Sequence, residues 1–204
     1  MSNGTDWSAI ILTGGTSRRF GSNKSEAAFS EHSLLNEILL ALPVELPVIV
    51  VGPEPMNAAR PIILTREEPA FGGPVAGIAA GLAKVESEFV GIIATDMPFF
   101  APMLLQLGKQ LSEGFDAVIP VDAAGFRQPL SAGYRVQALR KALLILGIAH
   151  GQSMHNLLDL LIVREVLMDS ESEKSLMDID SPSDLENALL IREQMKDNPI
   201  NERR

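Results

Sequence analysis

Short apolar runs punctuate the chain at residues 9–12, 47–51, 61–64, 89–94 and 117–121, most of them dominated by Val and Ile. Runs of this length without polar alternation suit strands buried on both faces, as in a parallel sheet. Between and after them, residues 34–42, 74–83, 102–111, 136–146 and 153–161 read as helices. The alternation predicts an α/β fold, a three-layer α/β/α sandwich around a mostly parallel sheet. A last helix is expected to open at Ser181-Pro182-Ser183-Asp184, where Ser181 caps, Pro182 suits the first turn and Asp184 and Glu186 favour the positive end of the helix dipole, and to end near residue 196. Residues 1–196 are thus expected to form one domain and residues 197–204 a frayed polar tail, with residues 170–175 (SESEKS) a solvated mobile turn.

Composition narrows the possibilities. At 204 residues and 46% hydrophobic the chain is long and apolar enough for one sizeable core. A formal charge of −9 argues against broad attraction to nucleic acid or an anionic membrane, so an anionic ligand must be held by a local site. The absence of cysteine excludes disulfides, thiolate metal sites and cysteine nucleophiles. The first residues have no basic start and too short an apolar run for a signal peptide, and no segment approaches the roughly 20 apolar residues of a membrane span. A soluble cytoplasmic protein is expected.

The first run leads straight into Leu12-Thr13-Gly14-Gly15-Thr16-Ser17-Arg18-Arg19-Phe20-Gly21-Ser22-Asn23-Lys24. Ligands of open α/β sheets bind at the carboxyl ends of strands, which is where this segment starts. Its glycines let backbone N–H groups approach phosphate oxygens, Thr16 and Ser17 add hydroxyls, and Arg18, Arg19 and Lys24 concentrate cations in an acidic chain. Neither GxxxxGK[ST] nor GxGxxG is present, which disfavours a P-loop or a dinucleotide-binding site.

This pattern, LxGGxSxRxGxxK, resembles the signature of nucleotide-sugar pyrophosphorylase-like nucleotidyltransferases, and its double glycine resembles the molybdenum cofactor guanylyltransferases among them. The resemblance implies the nucleotide-diphospho-sugar transferase fold. It also implies that Leu12, Thr13 and the Gly14-Gly15 backbone meet the nucleotide, with guanine read there, and that Arg19 and Lys24 hold the phosphates. Phe20 stands where the family usually has Met, and Asn23 where it often has Asp.

Three further stretches extend the likeness. Phe89 to Pro98 reads as a buried strand ending in Asp96-Met97-Pro98, and the family's Asp at this position binds the metal, Mg²⁺ being suited to a carboxylate together with substrate phosphates. Gly73-Pro74-Val75-Ala76-Gly77 resembles the family's Gly-Pro-Leu-Ala-Gly, a glycine turn opening a helix, with close helix packing expected at Gly77 and Gly81. Ala70 occupies the place of a nucleotide-contacting Asp, with Glu68 as the candidate substitute, and Gly52 occupies that of a family Asn. Asp178-Ile179-Asp180-Ser181-Pro182 resembles a closing Asn-x-Asn-Thr-Pro, so that Asp180 would join Asp96 at the metal and Asp178 and Asp180 would approach the pterin acceptor. Gln128-Pro129 resembles a family strand near that acceptor, which makes Gln128, together with Arg127 and Tyr134, a candidate contact.

His32, His150 and His155 show no metal-binding spacing and are expected at surfaces or helix ends, and there is no GxSxG elbow. The reaction implied is transfer of GMP from GTP to the terminal phosphate of molybdopterin with Mg²⁺, releasing pyrophosphate. The partners implied are GTP and the molybdenum cofactor, with transient contact to molybdoenzymes or their chaperones. Two alternatives remain: the same chemistry with CTP or on a sugar 1-phosphate, and a nucleotide-binding regulator that keeps the fold without turnover.

Overall fold

The computed structural model describes residues 6–13, 28–29, 32–170 and 172–197. In chain order these form β1 (Trp7–Leu12), β2 (Ala28–Phe29), β3 (His32–Ser33), α1 (Leu34–Ala41), β4 (Val48–Val51), β5 (Ile63–Thr65), α2 (Pro74–Leu82) and β6 (Phe89–Ala94). A 3-10 segment (Pro98–Met103) then runs into α3 (Leu104–Gly108), followed by β7 (Ala117–Val121), β8 (Ser131–Arg135), α4 (Val136–Leu146), α5 (Met154–Leu158) and β9 (Val163–Leu167). A second 3-10 turn (Ser172–Leu176) precedes α6 (Pro182–Asp197).

Seven strands make one sheet in the order β5-β4-β1-β6-β8-β7-β9. Only β8 runs against the others, pairing antiparallel with both β6 and β7. The alternation of side chains along each strand builds the two outer layers. Trp7, Ala9 and Ile11 of β1 face α1 and α3, whereas Ile10 faces the layer containing α2, α4 and α5. Ile93 and Ile92 of β6 divide between the two sides in the same way. The three-layer sandwich expected from the sequence is the observed fold.

Each helix has a local reason for its position. Ser33 caps α1 by accepting from the Asn36 N–H, and the chain leaves the helix before Pro43. Pro74 opens α2 at its first position, with Gly73 at φ +85° supplying a turn that a side chain would strain. A Cβ added to Gly81 would stand 2.8 Å from Ile10 Cγ2 and 3.0 Å from Val51 Cγ2, so this face of α2 lies directly on β1 and β4. Gly77 makes the same close approach to Leu12, and the predicted packing role of both glycines is borne out. At the far end of α4, Gly147 at φ +73° ends the helix in a conformation suited to glycine.

Several expectations need correction. The helix placed at 102–111 is a 3-10 segment from Pro98 followed by a short α3 (Leu104–Gly108), Pro102 inside the first having no N–H to give a continuous α-helical ladder. Strand β9 was not anticipated, since Val163-Arg164-Glu165-Val166-Leu167 carries charge in its middle. It is an edge strand, held in parallel register on β7, and charge at an edge is tolerated there. The turn expected at 170–175 is largely solvated where it is described, with Ser170 and Lys174 exposed, but its end turns inward: Ser175 is buried, and the next residue, Leu176, joins the core. The expected tail beyond Asp197 lies outside the described residues. Among the described residues no helix is long and apolar enough to cross a membrane.

Candidate active site

Strand order reverses between β1 and β6. From β1 the chain passes through α1 to β4 and β5 on one side, then returns through α2 to β6 on the other. The crevice outside the carboxyl ends of β1 and β6 is therefore the topological switch point, where this class of sheet binds ligands. Leu12 ends β1 and is in register with Ala94 at the end of β6, so that Asp96 lies two residues beyond the tip of the neighbouring strand.

Threonine side chains lace the strand tips together. Thr13 donates both its N–H and its Oγ to the carbonyl oxygen of Val51, each at 3.0 Å, joining β1 to β4. One strand over, Thr95 donates its N–H at 3.2 Å and its Oγ at 2.6 Å to the carbonyl of Leu12, joining β6 to β1. Both threonines are buried. Thr13, expected to contact the nucleotide, has both of its donors committed to the sheet. Gly52, which follows β4, adopts φ +147° and donates its N–H to Thr65, a backbone that an asparagine would rarely adopt.

Asp96 is held from its other side by the segment before α6. The N–H of Ile179 donates to the Asp96 carbonyl at 2.9 Å, while the Ile179 side chain is fully buried with Leu34, Phe99 and Ala188. Asp178 and Asp180, flanking the buried Ile179, are exposed. Asp96 and Asp178 are thus brought near each other across more than eighty residues of sequence, with Asp180 two residues farther along the chain. Loss of part of its hydration and the charge of Asp180 raise the Asp178 carboxyl above the usual carboxylate range, with its own backbone hydrogen bond opposing and Asp96 and Asp184 adding to the rise. The segment is fixed by a reciprocal cap: Asp184 accepts from the N–H groups of Asp180 (3.1 Å) and Ser181 (2.7 Å), and Ser181 Oγ accepts from the Asp184 N–H (3.3 Å). Farther along α6, Arg192 pairs with Glu37 of α1 at 2.9 Å.

These acids offer only oxygen donors, which suits Mg²⁺. Among the described residues no three His or carboxylate side chains form a closed metal cage. An open set of one or two carboxylates completed by substrate phosphates fits the habit of Mg²⁺.

The turn before α2 has a neighbour that the sequence did not predict. His150, on the loop after α4, lies against Gly72, where an added Cβ would stand 2.8 Å from His150 Nδ1. Gly151 donates its N–H to Gly72 O at 2.8 Å, fixing that loop to the turn. Gly73 and Glu68 are exposed on this turn. Gln128 sits beyond the tip of β7, donating its side-chain amide to Asp122 at 3.0 Å and its N–H to Pro120 O at 2.9 Å. One candidate acceptor contact is corrected. Tyr134 is fully buried inside β8 with its hydroxyl donated to Pro129 O at 2.6 Å, and burial pushes its phenol well above the ordinary range. Arg127, still open as an acceptor contact, pairs at the surface with Glu165 of β9. Gly14, Gly15, Arg19 and Lys24 lie outside the described residues.

A mostly parallel α/β sheet with a carboxylate just beyond the tip of the strand beside its opening loop puts these groups where open α/β sheets bind ligands. The chain belongs to the MobA-like NTP transferase domain family, whose model matches residues 9–162, and it is a nucleotidyltransferase. A relative from Natronomonas pharaonis, named "Probable molybdenum cofactor guanylyltransferase", is 32% identical over 120 residues, which span 57% of this chain and 59% of that relative. A relative of the same name from Pelotomaculum thermopropionicum is 28% identical over 197 residues, 92% of this chain and 94% of its own length. The crystal structure of molybdopterin-guanine dinucleotide biosynthesis protein A from Archaeoglobus fulgidus shares the fold, with a TM-score of 0.70, 22% identity and coverage of 92% of this chain and 100% of that one.

Two residues at the site escaped the sequence reading. Thr95 was passed over as a strand residue beside the more conspicuous Asp96, and Ile179 as a spacer between two acids. A hydroxyl next to a strand-end carboxylate, and a lone apolar residue between charged ones, were the signals available.

Proposed function

We propose that this protein transfers GMP from GTP to the terminal phosphate of molybdopterin, releasing pyrophosphate and forming a guanine dinucleotide cofactor. The observation that carries the reading is the meeting of Asp96 with the segment bearing Asp178 and Asp180 at the same sheet edge from which the glycine loop departs. The names of the relatives support GTP and the pterin as substrates.

In the proposed step, an ionised oxygen of the acceptor phosphate attacks the α-phosphorus of GTP. A bond forms between that oxygen and phosphorus, the bond from the α-phosphorus to the α–β bridging oxygen breaks, and pyrophosphate leaves with the electron pair. Because the nucleophile is already an anion, no strong general base is required, and catalysis rests on positioning and charge. Bound Mg²⁺ would neutralise phosphate charge, with Asp96 and Asp180 as its protein ligands. Leu12 and the Gly14-Gly15 backbone orient the nucleotide, Gly73 and Glu68 flank it, and Arg19 and Lys24 balance charge on the departing pyrophosphate. Gln128 and Asp178 face the acceptor.

Pyrophosphate release measured with each of the four nucleoside triphosphates, with and without Mg²⁺ and the pterin, tests the reading. GTP-selective release that needs both additions supports it. Preference for CTP would move the enzyme to cytidylyl transfer, a reading with which the Asp178-x-Asp180 spelling is also compatible. Nucleotide binding without release would identify a regulator.

A further inference from the structure

We propose that Thr95 is a positioning residue that sets the spacing between the metal-side carboxylate Asp96 and the nucleotide loop that begins after Leu12. The inference rests on the proposed function and goes beyond it in assigning a role to a residue that touches neither nucleotide nor acceptor.

The Leu12 carbonyl is the last of β1, and the loop departs from the next residue. Thr95 Oγ is buried and donates to that carbonyl at 2.6 Å, while the Thr95 N–H donates to the same oxygen at a longer 3.2 Å. The hydroxyl therefore makes the shorter contact of the pair. Asp96 is the residue that follows Thr95. Among the described residues, three links hold the turn around it: Thr95 on Leu12 O, Met97 N–H on Ala94 O at 3.0 Å, and Ile179 N–H on Asp96 O at 2.9 Å. Two of these fix Asp96 to its own strand turn and to the segment before α6. The Thr95 contact extends the β1–β6 ladder one step past the Leu12–Ala94 pair and so ties the turn carrying Asp96 to the strand that feeds the loop. A nucleotide spanning loop and carboxylate requires both to be at one distance, and misplacement by an ångström is costly in reactions that run on positioning. Thr13, with its paired donors to Val51 O, braces the same loop origin from the opposite side, so that the tips of β4, β1 and β6 form one laced row.

Replacing the hydroxyl need not undo the fold. In Thr95→Val the Leu12 carbonyl keeps its bond from the backbone N–H, so no buried oxygen is orphaned. The experiment is calorimetric titration of GTP, without acceptor and over a series of Mg²⁺ concentrations, into wild type, T95V and T95S, with thermal melting on each. The expected result is that T95V melts close to wild type, needs about tenfold more Mg²⁺ to reach the same GTP affinity, and that T95S, which restores the hydroxyl, returns to wild type. Should T95V fail to fold, T95A against T95S carries the same comparison. An unchanged Mg²⁺ requirement in T95V would overturn the inference and leave the proposed function standing. So would a T95S defect equal to that of T95V, because the hydroxyl would then not be the active feature. Absence of GTP binding by the wild type at any Mg²⁺ concentration would sink the guanylyltransferase reading and this inference with it.

Discussion

At the tips of β4, β1 and β6 buried threonine hydroxyls reinforce the main-chain bonds between strands, whereas around the β7–β8 connection the side-chain contacts run between partly or fully exposed polar groups. Thr13 and Thr95 each deliver two donors to one carbonyl of the adjoining strand. On the other side, Gln128 meets Asp122, and Arg127 meets Glu165, both residues of that ion pair being about half exposed. Buried backbone bonds leave little freedom, while exposed ion pairs contribute about 0–1 kcal/mol and rearrange readily. The strand tips beside the proposed nucleotide site are thus held by buried bonds, while the exposed side-chain pairs at the proposed acceptor end are free to rearrange around a bulky partner.

The largest effect expected from disturbing this contrast is at the nucleotide end. Asp96→Ala, or Lys24→Ala in the loop, should lower turnover by about 100- to 1,000-fold while thermal melting stays near wild type, because each removes charge placement rather than packing. Steady-state pyrophosphate release and a melting curve on the same sample decide it; near-normal turnover would count against the site. Next in size, Gly81→Val should cost about 1–3 kcal/mol in urea unfolding, since its Cβ meets Ile10 Cγ2 and Val51 Cγ2, buried β-branched side chains with little room to move.

The acceptor end should respond less, and in a different quantity. Gln128→Ala is expected to raise the acceptor KM about fivefold, with the GTP KM unchanged, because a single side-chain hydrogen bond is worth about 1 kcal/mol. A shift in the GTP KM instead would place Gln128 on the nucleotide side. The smallest effect belongs to Asp178→Asn. A carboxyl raised in the folded state keeps its proton where the unfolded chain has released it, so wild-type stability falls as pH rises from the ordinary carboxylate value through the raised one. The Asn variant lacks that loss. Its melting temperature should exceed wild type slightly at neutral pH, and the gap should close below about pH 4; a gap that persists in acid would show that the carboxylate cluster is not its source.

Much of the architecture was readable from short-range pattern. Residues 89–94 and 117–121 announced β6 and β7 with their observed bounds, and Val136–Leu146 did so for α4, because a run buried on both faces and an amphipathic helix leave periodicities that need no partner to be seen. The cap at Ser181 was legible for the same reason, its partners lying within three residues. Strand β9 was not, because its place depends on β7 rather than on its own charged sequence.

For the site, the sequence by itself determined which chemistry is available: a glycine-rich basic loop, a strand-end Asp96, and the acids Asp178 and Asp180, all without cysteine. Residue type sets what a group can bind, and that is local. Only the tertiary structure decided which of these groups meet. It brought Ile179 to Asp96, turned Tyr134 into the core, committed the hydroxyls of Thr13 and Thr95 to neighbouring strands, and laid His150 against Gly72. Such meetings arise from sheet order and helix packing, which sum contacts over the whole chain, so no single stretch of sequence carries them.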